Sequence, residues 1–104
     1  MLRADFHMHT RYSPDSDMSP ERLVRKCVQV GLNCVAVTDH NTIAGALEVQ
    51  HLAPFRVIVG EEIKSQDGEI IGLFLQEAIP RGLPSLETVQ RIKEQGGLVS
   101  VPHP

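Results

Sequence analysis

The run Cys34-Val35-Ala36-Val37, four apolar residues without a polar interruption, constrains this chain more than any other segment. A strand with one solvated face alternates apolar and polar residues, whereas an unbroken run predicts a parallel strand buried on both faces. This one delivers Thr38-Asp39-His40 at its C-terminal end. Helical patterns stand on either side of it. Ser19 is placed to cap a helix with Pro20 at its first position, Leu23, Val24, Cys27 and Val28 recur at helical spacing, and Gly31 stops the pattern. A weaker helix is expected over residues 42–52, followed by a third strand from Phe55-Arg56-Val57-Ile58-Val59 into Gly60-Glu61-Glu62.

Beyond that point Gln66-Asp67-Gly68 is a turn signal, and with Ile63 before it and Ile70-Ile71-Gly72-Leu73-Phe74-Leu75 after it a β-hairpin is expected around residues 61–76, its second arm opened by Glu69. Ser85 can cap a last helix carrying Leu86, Val89 and Ile92 on one side, Gly96-Gly97 ends it, and a final strand is expected over 98–101. Short apolar runs alternating with helices predict βαβ units and a mostly parallel sheet in an α/β chain.

The first strand, about residues 3–9, is read as two-sided. Period-two alternation sends Ala4, Phe6 and Met8 one way, toward the first helix, and Asp5, His7 and His9 the other. The two imidazoles would then share a face, one side-chain repeat apart, where they can approach one metal ion or two adjacent ones.

Length and composition set the outer bounds. At 104 residues with 41% hydrophobic and 22% charged residues, the chain has the composition of one soluble globular domain. No apolar run approaches membrane-spanning length and no signal peptide is read at the N-terminus, so no membrane partner is expected and the default location is cytoplasmic. The net charge of −3 gives no basic footprint for extended nucleic-acid binding. Bound divalent metals would reverse the local sign, which keeps an anionic substrate open. Cys27 and Cys34 fall in a helix and a buried strand, where cysteine behaves as a small hydrophobe, and no disulfide is expected.

Five strings carry the chemistry: Asp5-Phe6-His7-Met8-His9, Tyr12-Ser13-Pro14-Asp15, Thr38-Asp39-His40, Gly60-Glu61-Glu62 and Pro102-His103-Pro104. They put imidazoles and carboxylates where strands end, and in α/β architectures such ends converge on one mouth. His and carboxylate ligands without cysteine suit borderline or harder divalent ions such as Zn, Mn or Fe. Adjacent residues of a strand point to opposite faces, so only one of Glu61 and Glu62 can face such a site. Asp17 reads as loop chemistry and His51 as surface.

In their order and spacing these strings resemble the PHP family, the polymerase and histidinol phosphatase domain. Its members open with Asp-x-His-x-His and a Tyr-Ser-x-Asp-like loop, and continue with Thr-Asp-His-Asn, Gly-x-Glu-Ile and Pro-His-Pro, matched here by Asp5 to His9, Tyr12 to Asp15, Thr38 to Asn41, Gly60 to Ile63 and Pro102 to Pro104. The resemblance implies a distorted (β/α)7, TIM-like barrel holding two or three divalent ions, Mn, Zn or Fe, at its C-terminal mouth for the hydrolysis of phosphate esters. By position His7, His9, Asp15, His40, Glu62 and His103 are implied as metal ligands. Asp5 is implied to orient an imidazole from outside the ligand set, and Asp39 to act similarly.

Two departures qualify the match. Glu69 stands where many members place a His, which makes it a further ligand candidate, and the family's later His and Asp-x-His have no counterpart. Residues 1–104 are therefore expected to be the N-terminal portion of a single PHP domain, a partial barrel. The expected substrates are small phosphomonoesters of the nucleotide- or sugar-phosphate kind, cleaved by a metal-activated water. The alternatives are a polymerase-associated exonuclease or proofreading module and a non-catalytic metal-binding remnant.

Overall fold

A computed structural model of the chain describes residues 1–101. The elements follow in the order β1 (Ala4–Met8), α1 (Pro20–Val30), β2 (Cys34–Val37), α2 (Ala44–Leu52), β3 (Arg56–Ser65), β4 (Gly68–Leu73), α3 (Ser85–Glu94) and β5 (Leu98–Ser100). All five strands form one curled, half-barrel sheet in sequence order. β1, β2 and β3 are parallel, β4 is antiparallel to β3, and β5 is antiparallel to β4, so β5 again runs with the parallel set. The expected hairpin is the second half of β3 with β4, closed by Gln66 and Asp67 between the paired Ser65 and Gly68. Among the described residues no helix is long and apolar enough to cross a membrane.

The period-two rule sorts β2 and β3 cleanly. Val35, Val37, Val57, Val59 and Ile63 face the helices and pack with Leu23 and Cys27 of α1, Ala46 and Val49 of α2 and Ile92 of α3. Each such fully buried aliphatic contributes roughly 1.5–3 kcal/mol. Cys34, Ala36 and Ile58 form a smaller cluster on the opposite face, edged by Leu73. Both cysteines are buried and free, as their positions in α1 and β2 require.

α1 begins where its sequence indicates, with Ser19 accepting a hydrogen bond from the Arg22 N–H at 3.2 Å, and ends on Gly31 in the left-handed conformation, φ 83°. Val28, expected on its packed side, is instead more than half exposed. α3 departs further. Ser85 is its first helical residue rather than its cap, and its N–H donates to Asp67 Oδ2 in the hairpin turn. The buried face of α3 is Thr88 and Ile92, and Leu86, about 200° around the helix from Thr88, is 84% exposed.

β1 breaks the alternation expected of it. Ala4 pairs with Cys34 and Asp5 with Val35, but the register then slips by one so that Met8 pairs with Val37. Phe6 and His7 thus stand against Ala36 alone, a bulge that reverses side-chain parity. Met8 turns to the helix side, its sulfur 3.9 Å from Cys27 Sγ, while Phe6 stays on the opposite face and half exposed. The prediction that Ala4, Phe6 and Met8 share a face fails for this reason. Val57, Ile58 and Val59 of β3 are all buried, whereas Leu98 and Val101 are exposed.

Candidate metal centre

The ligand candidates converge at the C-terminal end of β1 and β2, beside the point where β3 changes partners. β3 pairs with β2 through Val59 and with β4 from Gly60 onward. The turn after β2 is stitched to it: the Glu62 N–H donates to the Asp39 carbonyl at 2.9 Å, the Asn41 N–H to the Glu62 carbonyl at 3.0 Å, and the Lys64 N–H to Asn41 Oδ1 at 2.9 Å. Asn41 adopts a left-handed backbone, φ 59°, which its short polar side chain tolerates. These bonds set His40 directly beside Glu62.

Glu62 is the hub. Only 2% exposed, it directs Oε1 at His7 Nε2 (2.7 Å) and His9 Nε2 (3.2 Å), and Oε2 lies 3.7 Å from His40 Nδ1. Asp15 spans the other side, with Oδ1 3.1 Å from His9 Nδ1 and Oδ2 3.0 Å from His40 Nε2. Glu69, arriving on β4, brings Oε2 to 3.2 Å from His40 Nδ1. The His9 ring meets those of His7 and His40 edge-on, with centroids 5.1 and 4.6 Å away.

Charge balance follows from the packing. Burial pushes the Glu62 carboxyl up, but hydrogen bonds from Glu69 and His7 and the charge of His40 outweigh it and hold it below the ordinary range. Asp15 is likewise held down by His40 and His9 against its desolvation, and His40 is raised because Asp15, Glu62 and Glu69 outweigh its own.

Three donor sets emerge, each with atoms within 4.8 Å of one another: His7, His9 and Glu62; His9, Asp15 and His40; His40, Glu62 and Glu69. Two donors bound about 2 Å from a tetrahedral ion stand roughly 3.3 Å apart, close to the spacings above. A neutral imidazole offers one lone pair, so His9 and His40 can each serve one ion. The first and third sets share only Glu62, so His7, His9, His40, Glu62 and Glu69 would together offer donors to divalent ions. Asp15 would add a carboxylate oxygen beside His9 and His40. The donor set fits hard or borderline divalent ions.

The remaining candidates fall elsewhere. Asp5 Oδ1 accepts from the main-chain N–H of His7 at 3.0 Å, so it acts on that residue through the backbone and not through the imidazole. Asp39, fully buried, touches no ring either: it accepts from the Thr10 N–H (2.5 Å), Thr10 Oγ1 (2.6 Å) and Ser13 Oγ (2.6 Å), and Ser13 Oγ in turn accepts from the His40 N–H (2.9 Å). Asp39 therefore orients the loop that carries Asp15. Thr10 and Ser13 carry no expectation in the sequence, although Ser13 belongs to the Tyr12-to-Asp15 string. Gly45 completes this network, since a Cβ there would land on Asp39 Oδ2 and Thr10 Oγ1. Asp17 and His51 are exposed. His103 lies outside the described residues.

The family model described as the PHP domain matches residues 5–94. This chain belongs to the PHP family. An uncharacterized protein of Methanocaldococcus jannaschii is 45% identical over 116 residues, which take in 99% of this chain and 68% of that protein. A 5′-3′ exoribonuclease of Haemophilus influenzae is 32% identical over 98 residues, 88% of this chain and 35% of its own length. Among solved structures, a provisionally assigned metal-dependent phosphoesterase of Bifidobacterium adolescentis superposes with a TM-score of 0.55 and 32% identity over 69% of this chain and 27% of that one. The PHP chain described here thus spans between about a quarter and two thirds of the proteins it matches. Membership and these likenesses support a metal-dependent hydrolase.

Proposed function

We propose that this PHP chain carries the metal centre of a phosphoesterase acting on small phosphomonoesters of the nucleotide- or sugar-phosphate kind. The observation that carries the reading is Glu62: a buried carboxylate with one oxygen aimed at His7 of β1 and the other toward His40 of the turn after β2. An isolated buried carboxylate is costly, and one surrounded by metal-type donors is best explained by cations that share its charge. His7, His9, Asp15, His40 and Glu62, with Glu69 beside them and His103 by its position in the motif, hold two or three divalent ions, Mn, Zn or Fe. When bound, such ions lower the pKa of water and neutralise charge on a phosphate oxygen. Asp39, Thr10 and Ser13 hold Asp15 and His40 in place, and Asp5 fixes the His7 backbone. The reading assigns the protein to the cytoplasm.

A second reading, hydrolysis of nucleic-acid phosphodiesters, is favoured by the likeness to the Haemophilus exoribonuclease. The net charge of −3 opposes it. The experiment is a metal titration followed by turnover of a chromogenic phosphomonoester and of a single-stranded RNA oligonucleotide. We expect Glu62→Gln to lower Mn or Zn affinity at least tenfold and to abolish turnover of the monoester. Turnover of RNA alone would select the second reading, and metal binding without turnover of either would make the chain a binding remnant.

A further inference from the structure

Lys64 stands on the ligand side of β3. Period two along that strand sends Val57, Val59 and Ile63 to the helices, so Glu62 and Lys64 share the opposite face, one side-chain repeat apart. Across the hairpin Lys64 pairs with Glu69. Its N–H donates to Asn41 Oδ1 at 2.9 Å and its carbonyl accepts from the Gly82 N–H at 2.7 Å, so its backbone groups turn away from β4. Lys64 and Glu69 therefore form a non-hydrogen-bonded pair, the kind whose side chains approach most closely, with Cβ atoms about 4.5–5.5 Å apart.

Such a pair ordinarily closes as a salt bridge. Here Glu69 directs Oε2 to His40 Nδ1 at 3.2 Å instead, and no ion pair among the described residues includes Lys64. The side chain is exposed and carries its ammonium on a flexible four-carbon stem. The backbone beneath it is held by the same Asn41 turn that sets His40 beside Glu62. Within the five strands only Arg56 and Lys64 are cationic, and Arg56 opens β3 at the end remote from the ligands. Arg11, in the loop after β1, lies 5.9 Å from the centroid of the Tyr12 ring.

We propose, on the basis of the phosphoesterase reading above, that Lys64 selects a terminal phosphate: its ammonium pairs with a non-bridging oxygen of a phosphomonoester bound at the metal centre. Charge makes the selection. A phosphomonoester carries about −1.5 to −2 at neutral pH, whereas a diester carries a single negative charge. Asp15, Glu62 and Glu69 offset part of the charge of bound divalent ions, so a dianion gains more than a monoanion from a further cation at the rim. Lysine suits the task because a compact point charge with three rotatable donors can follow the phosphate as it settles on the ions.

Calorimetric titration of the zinc-loaded chain with inorganic phosphate, a dianionic probe, and with dimethyl phosphate, a monoanionic one, tests this without turnover. We expect Lys64→Gln to weaken inorganic phosphate about tenfold, as loss of a charge-assisted hydrogen bond does, and dimethyl phosphate much less. Zinc affinity should not fall, and Lys64→Arg should recover most of the lost phosphate affinity. Nuclear magnetic resonance of the wild-type chain supplies a reading that needs no variant: on addition of phosphate the ε-methylene signals of Lys64 should move, and those of Lys26 in α1 and Lys93 in α3 should not. Phosphate affinity unchanged by Lys64→Gln, equal losses for the two phosphates, or Lys64 signals indifferent to phosphate would overturn the assignment and leave the phosphoesterase reading standing. A wild-type chain that binds zinc but no phosphate would overturn both.

Discussion

Glu61 and Glu62 are neighbours in sequence and opposites in environment. Glu62 faces the imidazoles, while Glu61 follows Val57 and Val59 onto the helix side, fully buried, with Oε1 accepting the Ile79 N–H at 2.7 Å and Oε2 without a partner. Desolvation, only partly offset by that hydrogen bond, raises its pKa from 4.5 to about 7. A carboxyl that holds its proton more tightly when folded stabilises fully below its unfolded value and loses that stability as pH rises toward its folded one. The chain should therefore lose about 2 kcal/mol between pH 4.5 and 7 through this residue. Glu61→Gln, which keeps the acceptor for Ile79, should flatten the dependence, as thermal melts at pH 5 and pH 7.5 would reveal. For His7 the expectation differs: His7→Ala should lower bound metal and phosphatase turnover together, because activation of water requires the ion first. Full metal content with undiminished turnover would remove His7 from the site.

At the scale of elements, the loop between β1 and α1 is held by one buried carboxylate. Asp39 accepts three hydrogen bonds and donates none, so Asp39→Asn would turn an amide N–H₂ toward a donor and strand at least one buried group. About 2–3 kcal/mol of stability should be lost, and metal affinity should fall with it, since His40 and Asp15 are positioned through Ser13. Denaturant unfolding and metal titration of the same variant check both. Removing the α1 cap by Ser19→Ala is a smaller change, about 1 kcal/mol, with no effect on metal affinity. These elements differ in how legible they are. The α1 cap and stop are local chemistry and read directly from Ser19, Pro20 and Gly31. The β1 bulge and the packed face of α3 are not local: which way Met8 and Leu86 turn depends on the strands and helices that arrive beside them.

For the molecule as a whole, the three parallel strands and three helices form a core that owes nothing to the metal centre, while the centre crowds Asp15, Glu62 and Glu69 around three imidazoles. Added Mn or Zn should bind the folded state selectively and raise the melting temperature, by about 10 °C or more at a hundredfold excess over the dissociation constant, and chelator should reverse the gain. A melting temperature indifferent to metal would mean that the cluster is a network of ion pairs only.

The sequence by itself determined the strands, the turn at Asp67-Gly68, the ends of α1, and the residues that bear the ligand chemistry. Period, capping and motif spacing are properties of short segments. The motif resemblance already pointed to Glu62 rather than Glu61; tertiary structure alone decided which imidazoles surround Glu62, that Asp39 serves Thr10 and Ser13 instead of a ring, and that Phe6 stays on the open face while Met8 enters the core. Each outcome turns on a contact between residues distant in the chain, such as Thr10 with Asp39 or Glu62 with His7. Such contacts arise only once strand register, including a one-residue slip in β1, has fixed which side chains share a face.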